Sequence, residues 1–188
     1  MSGETTDEDL ARRAGAGDRA AFALLLERHY SRVFRTVYSV LRHRSDAEDV
    51  TQEVWAALPR KLAGFRGEAR FTSWLHRIAI NAARDALRRA ATRTRTSAAH
   101  AEADALSRGA AHDTQERLAW LQTALGTLSD DLRITAALTL GEEMTHAQAA
   151  DVLGVAEGTV AWRMSEIRKQ LRSLAANGTD STGKEALA

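Results

Sequence analysis

Between Ser45 and Arg89 two amphipathic helical patterns stand back to back, parted by a glycine-broken aromatic loop, and this constrains the fold more than any other feature of the chain. In the first pattern Ala47, Val50, Val54 and Leu58 recur at helical spacing and predict a buried stripe. Ser45 and Glu48 have the spacing of a capping box, so a helix is expected to begin there with Asp46 and Asp49 in its opening turn. Asp46, Glu48, Asp49, Gln52 and Glu53 then form an outward acidic row. By spacing alone that row also fits an ordinary solvated face. Pro59, the only proline, is expected to kink or end the helix near Leu58, because it lacks an amide donor and crowds the preceding turn.

The loop reads Phe65-Arg66-Gly67-Glu68-Ala69-Arg70-Phe71, and a second helical pattern follows from Thr72. Leu75, Ala79, Ala82 and Ala86 make its apolar side, with Arg77, Asn81, Arg84 and Arg88 opposite. An aromatic, basic loop feeding a basic helix face suits a single nucleic-acid strand, whose bases stack on rings and whose phosphates pair with guanidinium. Phe65, Phe71 and Trp74 fit core packing equally well, and Asn81 fits a plain surface position.

The formal net charge of +1 conceals an asymmetry: residues 10–90 hold sixteen of the 26 Lys and Arg against eight acids, while residues 114–175 hold six against eight. The basic excess thus sits with the loop and its helix. With no cysteine there is no disulfide framework, thiolate zinc site or thiol switch. No apolar run approaches membrane-spanning length, so no membrane insertion is expected, and the acidic opening MSGETTDEDL does not resemble a signal peptide. A cytoplasmic location is expected.

Residues 1–9 read as a mobile acidic tail. From Leu10 to Arg42, apolar positions such as Phe22, Leu25, His29, Val33, Val37 and Leu41 predict two helices with a break at 15–18. Residues 91–113 lack a steady apolar period and read as a flexible linker, about 26 Å in mean span as a coil; a short helix within AHAEADALSR is the alternative. Helical period resumes at Leu118, Leu121 and Leu125 and continues through Leu138. Thr145 with Gln148 is a second capping box. Ala150, Gly154 and Val160 then fall where a helix-turn-helix needs a small residue, a positive-φ turn and a buried branched residue. Val160, Met164, Ile167 and Leu171 predict the buried face of its second helix, and Gly158, Trp162, Ser165, Lys169 and Arg172 the open one. Residues 176–188 read as a disordered tail. The expected fold is all-α, with two small helical domains, 10–90 and 114–175.

DAEDVTQEVW followed by FRGEARFTSWLHRIAINAARD resembles the second conserved region of bacterial sigma factors of the extracytoplasmic-function (ECF) group, and the helix-turn-helix segment resembles their fourth. The resemblance implies an alternative sigma factor that binds core RNA polymerase and promoter DNA. Asp46, Glu48, Asp49, Gln52 and Glu53 would form the polymerase-docking surface. Phe65, Arg66, Glu68, Arg70, Phe71, Thr72, Arg77, Asn81, Arg84 and Arg88 would capture the non-template strand of the downstream (−10) element, with one base turned out into the loop's pocket. Gly158, Thr159, Trp162, Arg163, Ser165, Lys169 and Arg172 would read the upstream (−35) duplex. It also implies an anti-sigma factor as an inhibitory partner. Three departures from family habit stand out: Ala156 where a capping side chain is common, Ala161-Trp162 after GTV, and Glu166 where a basic residue is frequent. Trp162 could meet DNA, be covered by another protein, or complete the local core.

No catalytic constellation is visible, so the chain is expected not to be an enzyme and to need no cofactor. Glu143 and His146 form the only Glu-x-x-His, which is too little for a di-metal bundle, and the other histidines show no ligand spacing. A stand-alone helix-turn-helix regulator remains a rival, as does a protein-only adaptor. The first leaves the loop unexplained and the second leaves the Arg77–Arg88 stripe unexplained.

Overall fold

A computed structural model describes residues 5–94 and 124–185. Its helices are α1 (Asp7–Gly15), α2 (Arg19–Leu41), α3 (Arg44–Leu62), α4 (Phe71–Thr94), α5 (Asp130–Ala136), α6 (His146–Leu153) and α7 (Glu157–Glu185). A π-helical segment, Ala137–Gly141, continues α5, and 124–127 form a further helical turn. The described residues are all-α, and they separate into two compact units: one carries α1–α4, the other α5, the π-helical segment, the start of α6 and α7.

In the first unit α2 is the central pillar, and α1, α3 and α4 all pack on it. The expected break between α1 and α2 is present: Gly17 takes φ +97°, and Asp18 caps α2 by accepting from the amides of Ala20 and Ala21 at 3.0 and 3.1 Å. The Ala21 amide, with Arg13 beside it, holds the Asp18 carboxyl below its usual range. Gly15 is dictated by proximity, since a Cβ there would lie 2.9 Å from the Leu62 carbonyl oxygen at the end of α3.

The α3 stripe is as expected, with Ala47, Val50, Val54 and Leu58 all buried. Its start is not. The helix begins at Arg44, capped by His43, whose Nδ1 faces the Asp46 amide at 3.5 Å, so Ser45 is already inside the helix and cannot cap it. Glu48 instead pairs with Arg44 one turn back, at 2.8 Å. Nor does Pro59 stop the helix, which continues to Leu62. Pro59 stands in the last turn, where it forfeits one backbone bond while Leu58 and Leu62 on either side are fully buried and hold the segment in place.

α4 turns slightly from its expected face. Leu75 and Ala79 are buried, but Ile80 and Ala83 complete the stripe while Ala82 and Ala86 stay half-buried. Ile80 has far more apolar surface to bury than an alanine, and it takes the inward position.

The helix-turn-helix segment follows the expected register. Thr145 and Gln148 exchange both bonds of the capping box, at 2.9 and 3.2 Å. Ala150 is buried, Gly154 makes the turn at φ +68°, and Val160, Met164 and Ile167 bury one side of α7. Leu171 is half-buried.

Three expected boundaries shift. Asp7, Glu8 and Asp9 form the first turn of α1, capped by the Thr6 hydroxyl, so only 1–4 of the expected tail lie outside the described residues. α4 reaches Thr94, taking the first residues of the expected linker; 95–113 lie outside the described residues, as do the first residues of the expected second domain. α7 runs to Glu185 where a disordered tail from 176 was expected, because extending an established helix needs only one further backbone bond per residue.

Candidate nucleic-acid interface

The acidic row stands outward from α3: Asp46, Asp49, Gln52 and Glu53 are exposed and Glu48 is half-buried. Glu53 also reaches Arg89 of α4 at 3.4 Å. These contacts are solvated and weakly stabilising. The carboxylates therefore remain available to a partner at little cost.

The loop between α3 and α4 has an apolar interior and a polar rim. Phe65, Phe71 and Trp74 form a three-ring cluster, with centroids 5.1 Å apart for Phe65–Trp74, 5.8 Å for Phe65–Phe71 and 6.0 Å for Phe71–Trp74. Phe71 is 0% exposed and so cannot stack on a base; the core reading holds for this ring. Phe65, Thr72 and Trp74 are half-buried, while Arg66, Glu68 and Arg70 are exposed or half-exposed around Gly67, which takes φ +73°. Asn81 and Arg88 are exposed on α4 and Arg84 is half-buried; Arg77 lies one turn before Asn81. Arg88 pairs with Asp85 on the same helix.

Beneath this surface lie two buried histidines. His76 of α4 meets the Thr36 hydroxyl through Nδ1 at 2.9 Å, and burial pushes its pKa down to about 4. His29 of α2 meets Asp7 of α1 through Nε2 at 2.8 Å and lies edge-on to Phe71 at 5.6 Å. Burial lowers the His29 pKa against the opposing pull of Asp7. At neutral pH both rings are neutral and serve as packed hydrogen-bonding groups.

Two contacts of the first turn of α1, one with the loop's end and one with α2, have no signal in the local sequence. The Phe71 amide donates to Glu8 Oε1 at 3.0 Å, and Arg28 donates to Asp7 Oδ1 at 2.9 Å. Residues 8 and 71 are 63 positions apart, so no short-range spacing marks the pairing.

On α7 the exposed row comprises Gly158, Trp162, Ser165, Lys169 and Arg172, with Thr159 half-buried. Trp162 is 63% exposed, which excludes the option of completing a local core. Arg163 departs from the expected DNA-facing set. It is buried, donating to Asp131 Oδ2 at 2.6 Å and lying 3.5 Å from the Thr135 hydroxyl, and it ties α7 to α5. The signal was present: Arg163 is three residues beyond Val160, hence on the inward face. Among the described residues no group of His, Cys, Asp or Glu is arranged to hold a metal ion, and no helix is long and apolar enough to cross a membrane.

Residues 25–93 match the family model Sigma-70 region 2, a span that holds the acidic row, the loop and the basic helix. The chain is 33% identical over 177 residues to the ECF RNA polymerase sigma factor SigM of Mycobacterium tuberculosis, covering 91% of this chain and 85% of that protein. Among solved structures it is similar to CnrH in complex with the cytosolic domain of CnrY, with a TM-score of 0.70 and 27% identity over 91% of this chain and 97% of that one. The sigma factor RpoE of Bartonella quintana, solved with the anti-sigma factor NepR, shares the fold with a TM-score of 0.71 at 23% identity over 82% of this chain and 96% of that one. With a relationship to SigM that runs through both helical units, this chain belongs to the ECF RNA polymerase sigma factors.

Proposed function

We propose that the chain directs promoter-specific initiation by docking core RNA polymerase on the outward face of α3, capturing the non-template strand of a −10 element on the loop and α4, and placing α7 in the major groove of a −35 element. The polymerase supplies the chemistry and this chain supplies recognition, in the cytoplasm. What carries the reading is one compact unit that presents a solvated carboxylate row on α3, held only by weak surface pairs, and an arginine-rimmed loop leading to exposed Asn81 on α4. The two surfaces suit different partners. Carboxylates repel phosphate and welcome a basic protein face, while the loop offers guanidinium to phosphate and half-buried rings to a base.

The proposed strand-contacting set is narrower than the sequence suggested. Phe71 supports the loop from within, and Phe65 and Trp74 are the rings with accessible faces. Asn81 is the residue proposed to read a base edge, since its amide offers a donor and an acceptor together. On α7, Trp162, Ser165, Lys169 and Arg172 face the duplex and Arg163 orients the helix from behind. An anti-sigma factor is the proposed inhibitory partner, covering the α3 row and Trp162; the CnrH–CnrY and RpoE–NepR structures are precedents within the fold.

Run-off transcription from fragmented genomic DNA, with purified core polymerase in the presence and absence of the chain, tests the reading. New discrete transcripts are expected, with start sites that align to reveal two upstream elements. If neither transcripts nor core binding appear, the proposal fails.

A further inference from the structure

We infer that Glu8, braced by Asp7, is a positioning residue for the loop at 65–71: the first turn of α1 fixes the geometry with which that loop meets a strand. The consequence for DNA rests on the function proposed above, whereas the consequence for loop order does not.

The first amides of a helix have no partner within it. At the start of α4 the Phe71 amide is satisfied by the Glu8 carboxylate, which arrives from a helix 63 residues earlier at 3.0 Å. A carboxylate here also complements the positive end of the α4 dipole. Glu8 is itself held in place, because its neighbour Asp7 accepts from Arg28 at 2.9 Å and meets His29 at 2.8 Å, fastening the first turn of α1 to α2. His29 completes the arrangement by packing edge-on against the Phe71 ring. Phe71 is thus gripped at its amide by Glu8 and at its ring by a histidine that Asp7 holds. Phe65 and Trp74, the rings with accessible faces, both rest on Phe71. A shift of Phe71 moves the whole rim.

The test uses the full chain with Glu8→Ala, Glu8→Gln and Asp9→Asn. Gln retains an acceptor oxygen; Asp9→Asn removes the same charge from the same turn, at a side chain that among the described residues pairs with Arg12 of its own helix, while its backbone amide keeps the Thr6 cap. Hydrogen exchange at the Phe71 amide is expected to quicken about tenfold in Glu8→Ala. It should change little in the other two variants, and the α3 amides should keep their protection throughout. No change in Glu8→Ala, or an equal change in Asp9→Asn, overturns the inference. In holoenzyme, Glu8→Ala is expected to weaken capture of the single strand on forked DNA about tenfold, with core polymerase affinity unchanged and capture restored by Glu8→Gln. Faster exchange with undiminished capture would show that the loop's order does not govern recognition, which sinks the inference. Absence of capture in the unmodified chain would instead sink the proposed function and leave the exchange result to decide this one.

Discussion

The α3–α4 loop and the exposed face of α7 are built in opposite ways. The loop is imposed from outside: the buried Phe71 ring, a neutral histidine and the Glu8 carboxylate of α1 determine where its rim lies. The α7 face is local in origin. Gly154 and the Thr145–Gln148 box set its register, and its outward row follows from helical spacing alone. A surface of the first kind resists displacement but depends on distant residues; one of the second kind tolerates substitution on its outer side because little rests on it.

The widest separation between the two should come from their large rings. Phe71→Ala removes a fully buried side chain and is expected to cost the first unit about 3–5 kcal/mol in denaturant unfolding, whereas Trp162→Ala should change stability by about 0.5 kcal/mol or less. A comparable loss from Trp162→Ala would mean that the α7 face is not bare, and the contrast would collapse.

Acid should act on the loop's side of the comparison. His76 has a pKa of about 4 in the folded chain against the ordinary histidine value of 6.5, so between those values the unfolded chain binds the extra proton. Stability from this group is therefore full above about pH 6.5 and is lost as pH falls toward 4, by about 3 kcal/mol in all. His29, lowered by burial in the same direction, steepens the fall. Unfolding measured across this range should lose much of its slope in His76→Gln; an unaltered slope would place the acid sensitivity elsewhere.

The smallest effect should come from repairing the local surface. Ala156 immediately precedes α7 and its carbonyl receives the Thr159 and Val160 amides, yet it has no side chain able to cap. Ala156→Ser is expected to stabilise the second unit by about 1 kcal/mol, seen as a higher midpoint for its unfolding. No gain would imply that the first turn of α7 already has its amides satisfied.

The same division explains what the sequence could reveal. Features set by short-range spacing were legible: the Ala47–Val50–Val54–Leu58 stripe, the Thr145–Gln148 box, and the Ala150–Gly154–Val160 register. The outward rows on α3 and α7 followed from them. Legibility failed where another side chain competed, nearby or distant. His43 displaced Ser45 as the α3 cap, and Ile80 rotated α4 because it buries more than Ala82. Arg163 carried a charge that argued for the surface, but Asp131 and Thr135 on α5 make an inward site acceptable to it. The acidic opening was legible as charge and not as structure, since its partners lie on α2 and α4.

That last pairing bears on how the chain comes to be folded during its own synthesis. Residues 7 and 8 emerge well before residue 71, whose amide is one partner of this turn, so a 63-residue segment must leave the ribosome before the contact can close. Bringing such distant positions together carries a loop-closure cost that local helices avoid. α2 and α3 can form and pair while the loop and the first turn of α1 still lack each other. The surface proposed to hold a melted strand is then among the last parts of its unit to mature, and a nascent chain halted before α4 would possess the acidic row without the basic helix.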